Sequence, residues 1–117
     1  MAEEGAVAVE VRDGVVVARV SGDIDVTNVD GFATALRAHL GHATRAMLVD
    51  LSGARYLDSS GLRALFEAAA TLMGDGRHLT FVVPPGHPLR RLLEISGAEG
   101  IGRFADSVDD ALASPGA

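Results

Sequence analysis

The stretch "RAMLVDLSGARYLDSSGLRALFEAAATLMGDG", Arg45 to Gly76, decides the fold. Its opening, Arg45 to Leu51, is a nearly continuous apolar run and predicts a strand buried on both faces. After "DSS", the residues Leu62, Leu65, Phe66, Ala69, Leu72 and Met73 recur at helical spacing and predict one apolar stripe. Gly74-Asp75-Gly76 ends that helix, and "HLTFVV", His78 to Val83, reads as a second buried strand. A helical crossover between two such strands makes them parallel, with a right-handed connection.

Toward the N-terminus, Val7, Val9 and Val11 alternate with Ala8, Glu10 and Arg12, the period of a half-buried strand. Asp13-Gly14 is a hairpin signal, because a type I′ turn needs positive φ at both central positions. Val15 to Val20 therefore returns antiparallel. A helix is expected over about Thr27 to Leu40, with Val29, Phe32, Ala33, Leu36 and Leu40 on its apolar face. Thr27 or Asn28 would cap it and Gly41 would end it.

Toward the C-terminus, "PPGHP" is a rigid loop, and Pro88 suits the first turn of a short helix through Leu92-Leu93. A weak strand near Arg103-Phe104 is expected. A last helix follows from Val108 to Ala113, capped by Ser107 and favoured by Asp110, and "SPGA" frays. The order is ββαβαβα, then a strand and a helix. It predicts an α/β fold in one domain over residues 1–117, structured over about 5–113. The sheet is mixed, with about four to five strands, the first antiparallel and the others largely parallel, and about four helices. Stripe widths leave open whether the helices cover one face or both.

The 117 residues suit a single core. Cysteine is absent, which excludes a disulfide framework and thiolate chemistry. No apolar run approaches the ~20 residues that span a bilayer. The acidic start "MAEEGAV" lacks the basic and apolar segments of a secretory leader, so a cytoplasmic location is expected, with no membrane contact. The formal charge is −6, and all ten basic residues are Arg, scattered apart from Arg90-Arg91. Nucleic-acid binding needs a clustered cationic surface and stacking aromatics, and the chain has neither. An acidic chain of this kind points to a protein partner. Arg90-Arg91 reads as a solvated face, and His39 and His42 as surface residues at a helix end.

Three connections, "SGDID", "SGARYLDSS" and "PPGHP", leave the carboxyl ends of the parallel strands and share one sheet edge. Ligands and partners of α/β sheets bind there. The edge gathers Asp23, Asp25, Asp58, Ser59, Ser60 and His87. Ser59 and Ser60 admit three readings. One hydroxyl caps the helix, with Asp58 adding favourable charge. Or Ser59 is a nucleophile with His87 as its base, although the Gly-x-Ser-x-Gly elbow is missing. Or a hydroxyl accepts a phosphate, which places about two negative charges on an acidic docking edge. The Asp23-x-Asp25 pair suits a partner contact or a solvated turn. A hard cation wants more carboxylates than this, so no metal is expected.

"MLVDLSGARYLDSSGLRAL" strongly resembles the signature of STAS domains, above all the free-standing bacterial anti-sigma factor antagonists. "VARVSGDIDVTNVDGF" resembles the family's second strand and following acidic turn, and "HPLRRLLEISGAEGIGRFADSVDDAL" its closing half. Ala98 departs from the family's usual Leu. The resemblance implies a non-enzyme that, unphosphorylated, binds an anti-sigma factor serine kinase and releases a sigma factor. Phosphorylation of Ser59, directly after the motif Asp, would switch binding off, and a metal-dependent serine phosphatase would reverse it. The implied partner-binding residues are Asp23, Asp25, Asp58, Ser59, Ser60 and Gly61. Gly61 lacks a side chain, so another backbone could approach closely there. No cofactor is implied, because ATP and its metal belong to the kinase. The alternatives are a STAS subunit of a larger signalling scaffold and a soluble STAS accessory of a membrane transporter. A monomer or weak dimer is expected of the antagonist.

Overall fold

The computed structural model describes residues 6–113. The acidic start and the "SPGA" tail lie outside them. Strands β1 (Ala6–Arg12) and β2 (Val15–Ile24) form the expected antiparallel hairpin. At its tip Asp13 and Gly14 have φ of 51° and 81°, the positive values that the turn demands. Strands β3 (Ala46–Leu57), β4 (His78–Val82) and β5 (Arg103–Ala105) then add in chain order, each parallel to the last. The result is one five-stranded mixed sheet, β1-β2-β3-β4-β5.

Helices α1 (Val29–Arg37), α2 (Ser59–Gly74) and α3 (Pro88–Ile95) connect successive parallel strands. Because the strands advance in one direction, right-handed crossovers stack all three on one face. Between them and the sheet lies the main core. It holds Val16, Val20, Met47, Val49, Leu79 and Phe81 against Phe32, Leu36, Leu65, Leu72 and Leu93. Helix α4 (Val108–Ala113) packs alone on the opposite face, over Val15, Val17, Leu48 and Val82. The question of one face or two is settled as three helices against one. Ser107 caps α4 as expected, its hydroxyl accepting the Asp110 N–H at 3.0 Å. Ala98, in a single 3-10 turn (Ala98–Gly100), is wholly buried in the main core.

The strands run further than their apolar runs. β2 continues past Val20 to Ile24, and β3 past Leu51 to Leu57. The two extensions pair with each other, Ser21 with Gly53 and Ile24 with Leu57, across register irregularities at Arg19/Ser21 and Gly22/Asp23. β4 stops pairing at Asp50–Val82, so a two-stranded ribbon projects beyond it. In the ribbon the inward residues Leu51, Ala54 and Leu57 come every third position. Bulges of this sort erase the period-two signal.

Three helical expectations are corrected. α1 ends at Arg37 rather than Leu40, and Gly41 is not its terminator. Arg77 instead donates to the carbonyls of Leu40, Gly41 and Thr44 at 2.8–3.0 Å. The buried face of α2 is Gly61, Ala64, Leu65, Ala68, Ala69 and Leu72, while Met73 is 46% exposed. Arg90 is no solvated side chain: it donates to the Val83 carbonyl at 2.9 Å, pairs with Asp106 at 2.7 Å and lies over Phe104.

Candidate functional site

The ribbon ends in two turns that sit side by side. In the first, between β2 and α1, the Asp25 carbonyl accepts the N–H groups of Asn28 at 3.1 Å and Val29 at 2.8 Å. The Asp25 carboxylate accepts the Thr27 N–H at 2.9 Å and the Thr27 hydroxyl at 2.5 Å. Asn28 precedes α1 but its side chain does not cap it. Its Oδ1 accepts the Asp25 N–H at 2.9 Å and its Nδ2 donates to the Asp23 carbonyl at 2.8 Å. This amide fixes the path of residues 23–25, a role that composition alone did not disclose. Asp23 meets Arg55 at 3.3 Å.

The second turn joins β3 to α2. The Asp58 N–H donates to the Ile24 carbonyl at 3.2 Å, which ties the two turns together. Asp58 caps the helix: its Oδ1 accepts the N–H groups of Ser60 and Gly61, both at 3.0 Å. The same oxygen accepts the Ser60 hydroxyl at 2.5 Å. The Ser60 hydroxyl bond, foremost, and then the Gly61 N–H hold the Asp58 carboxyl below its ordinary value. One of the three readings of the serines has a hydroxyl as the cap. The carboxylate displaces it because it sits at the extended residue before the helix and makes charge-assisted bonds.

The two serines are thus unlike. Ser60 is half-buried with its hydroxyl committed to Asp58. Ser59 is exposed, and its hydroxyl makes no hydrogen bond among the described residues. Gly61 corrects an expectation. It is buried, and a Cβ there would stand 3.1 Å from Leu57 Cδ2 and 3.2 Å from Ile24 Cγ2. The missing side chain seats α2 on the ribbon and leaves no room for a foreign backbone. His87 caps α3, its Nδ1 accepting the Leu89 N–H at 3.1 Å, and no hydrogen bond joins it to Ser59.

Two apolar side chains at this corner escaped the sequence reading. Val26 follows Asp25 and is 74% exposed; Tyr56 pairs with Asp23 across the ribbon and is 53% exposed. The only usable signal was Tyr56 itself, the single tyrosine, two residues before Asp58. Along α2, Ser59, Leu62, Arg63, Phe66, Glu67 and Ala70 border an open, mainly apolar depression of about 450 Å³. Among the described residues no three His, Cys, Asp or Glu are grouped to hold a metal, and no helix is long and apolar enough to cross a membrane.

The STAS domain profile matches residues 6–111. The chain belongs to the STAS domain family. This STAS domain is 31% identical over 107 residues to the anti-sigma-F factor antagonist RsfB of Mycobacterium tuberculosis, covering 91% of this chain and 85% of the relative. It superposes on the crystal structure of an anti-sigma factor antagonist from Mycobacterium paratuberculosis with a TM-score of 0.80, at 29% identity and over 96% of both chains. The Bacillus cell fate determinant SpoIIAA in its phosphorylated form shares the fold, with a TM-score of 0.70 at 19% identity over 92% of this chain and 96% of that one.

Proposed function

We propose that this STAS domain is an anti-sigma factor antagonist whose binding is switched off by phosphorylation of Ser59. The observation that carries the reading is the contrast between the two serines. Ser59 offers an exposed, uncommitted hydroxyl, whereas Ser60 is held by Asp58. The names of the two mycobacterial relatives support the class of function. In the unmodified state the docking surface is Asp23, Asp25, Asp58, Ser59 and Ser60, flanked by Val26 and Tyr56, with Gly61 shaping it from beneath. The partner is an anti-sigma factor that is also a serine kinase, and its capture releases a sigma factor. The unit acts in the cytoplasm as a monomer or weak dimer.

The chain is a substrate in this scheme. The Ser59 hydroxyl oxygen attacks the γ-phosphorus of ATP held by the kinase, and a new O–P bond forms. The bond to the β-phosphate bridge breaks, ADP leaves, and the hydroxyl proton passes to a base of the kinase. The product adds about two negative charges beside Asp58 and Asp25. An acidic corner made more acidic opposes a partner chosen for the unmodified surface, and each tenfold of affinity needs only about 1.4 kcal/mol. A metal-dependent serine phosphatase returns the hydroxyl by transferring the phosphoryl group to water, which releases inorganic phosphate.

The test mixes the protein, ATP and candidate kinases and maps the label. Label is expected on Ser59; Ser59→Ala should still bind the kinase tightly and Ser59→Asp should not. Label confined to Ser60, or normal binding by Ser59→Asp, sinks the proposal.

A further inference from the structure

Arg63 lies one turn along α2 from Ser59, and both border the open depression of about 450 Å³. Residues four apart on a helix are neighbours, with Cβ atoms about 5–6 Å apart. Helical side chains lean toward the N-terminus, so the reach of Arg63 leads back over Ser59 and away from Glu67. Arg63 is exposed and makes no hydrogen bond or ion pair among the described residues. Arg55, by contrast, is engaged by Asp23. Two of the leading amides of the helix are also engaged: Asp58 takes the N–H groups of Ser60 and Gly61. A phosphate on Ser59 finds those donors occupied and one uncommitted guanidinium within helical reach.

We infer that Arg63 is the phosphate-binding residue of the modified protein, folding back one turn to hold the phosphoryl oxygens of phosphorylated Ser59. The inference rests on the reading of Ser59 as the acceptor. An acidic group four residues before a basic one is the favourable order on a helix, and a guanidinium can hold two phosphate oxygens at once. The charges facing the phosphate are Arg63 in favour and Asp58 and Asp25 against, with Glu67 competing for Arg63 from the next turn. The pairing fixes the added charge against α2 instead of leaving it to swing in solvent.

The test installs phosphoserine at position 59 of the full chain during synthesis, by genetic encoding, so that no kinase is involved. Phosphorus-31 NMR then follows the second ionisation of the phosphate, ordinarily near pH 6. In Arg63→Gln the midpoint should rise by about 0.2–0.4 pH unit. Arg63→Lys should recover most of that shift, and the Arg63 Nε–H resonance of the parent should move as the phosphate titrates. An unchanged midpoint in Arg63→Gln, or an Arg63 resonance indifferent to the phosphate, overturns the inference. That failure would leave Ser59 standing as the acceptor. A phosphoprotein that still captures the anti-sigma factor would instead remove the proposed switch and leave the pairing intact.

Discussion

Ser60 donates its hydroxyl to the Asp58 carboxylate at 2.5 Å, and this bond separates it chemically from Ser59 next door. One carboxylate oxygen holds two backbone amides and one side chain, so the start of α2 and the identity of the free hydroxyl depend on the same group.

Stability should therefore fall in acid, in part through Asp58. Its folded carboxyl ionises below the ordinary value, so in acid the unfolded chain binds more protons than the folded one. The contribution is fully present above the unfolded value of about 3.9 and is lost as pH drops through the folded one. Glu10, held down chiefly by Arg19, acts in the same sense. Denaturant midpoints measured between about pH 5 and about pH 2 should fall less steeply in Asp58→Asn than in the parent. Identical slopes would show that the cap is not charge-assisted.

Gly61 should tolerate one methyl and no more. Replacing a helical Gly by Ala gains up to about 1 kcal/mol of propensity, while Leu57 and Ile24 must yield a few tenths of an ångström. Gly61→Ala should then stay within about 1 kcal/mol of the parent, and Gly61→Val should cost about 1–3 kcal/mol by overpacking. Thermal melts of the pair decide it. Equal stability of the two would mean that α2 does not rest on the ribbon there.

Arg77 should matter more than a partly exposed arginine usually does. It serves three carbonyls in the segment after α1 and also meets Asp75 at 2.5 Å. Arg77→Met keeps the stem and strands those carbonyls, at an expected cost of about 2–3 kcal/mol. Hydrogen exchange should speed up first at Ala38 to Thr44. Uniform exchange with no loss of stability would contradict the assignment.

Val26 and Tyr56 should be binding anchors with little part in the fold. Each is more than half exposed at the end of the ribbon, and tyrosine in particular is enriched among the residues that carry affinity at interfaces. Tyr56→Ser should weaken capture of the anti-sigma factor about tenfold or more and Val26→Ser by less, with thermal midpoints nearly unchanged. Unaltered affinity in both would place the partner elsewhere.

The central sheet is legible in the sequence because β3 is buried on both faces, and Met47, Leu48 and Val49 leave no polar alternation to misread. The hairpin is equally plain in Asp13-Gly14. What escapes is set by contacts distant along the chain. The segment that follows α1 is held by Arg77, and the strand extensions by bulged pairing that breaks alternation. At the candidate site the residue types were evident and their division of labour was not. "DSS" alone does not say that the acid caps while the second hydroxyl locks onto it. Nor does a lone glycine reveal whether the space it frees faces inward or outward.

The ribbon that overshoots β4 has an enzymological consequence. It holds Ser59 on a hydrogen-bonded frame, where a loose peptide would first have to be ordered at roughly 1–2 kcal/mol of backbone entropy per residue. A kinase that modifies Ser59 as proposed would therefore recognise a three-dimensional shape. Excised as a short synthetic peptide, Tyr56 to Leu62 should be a poor substrate, however faithfully it copies the letters around the serine.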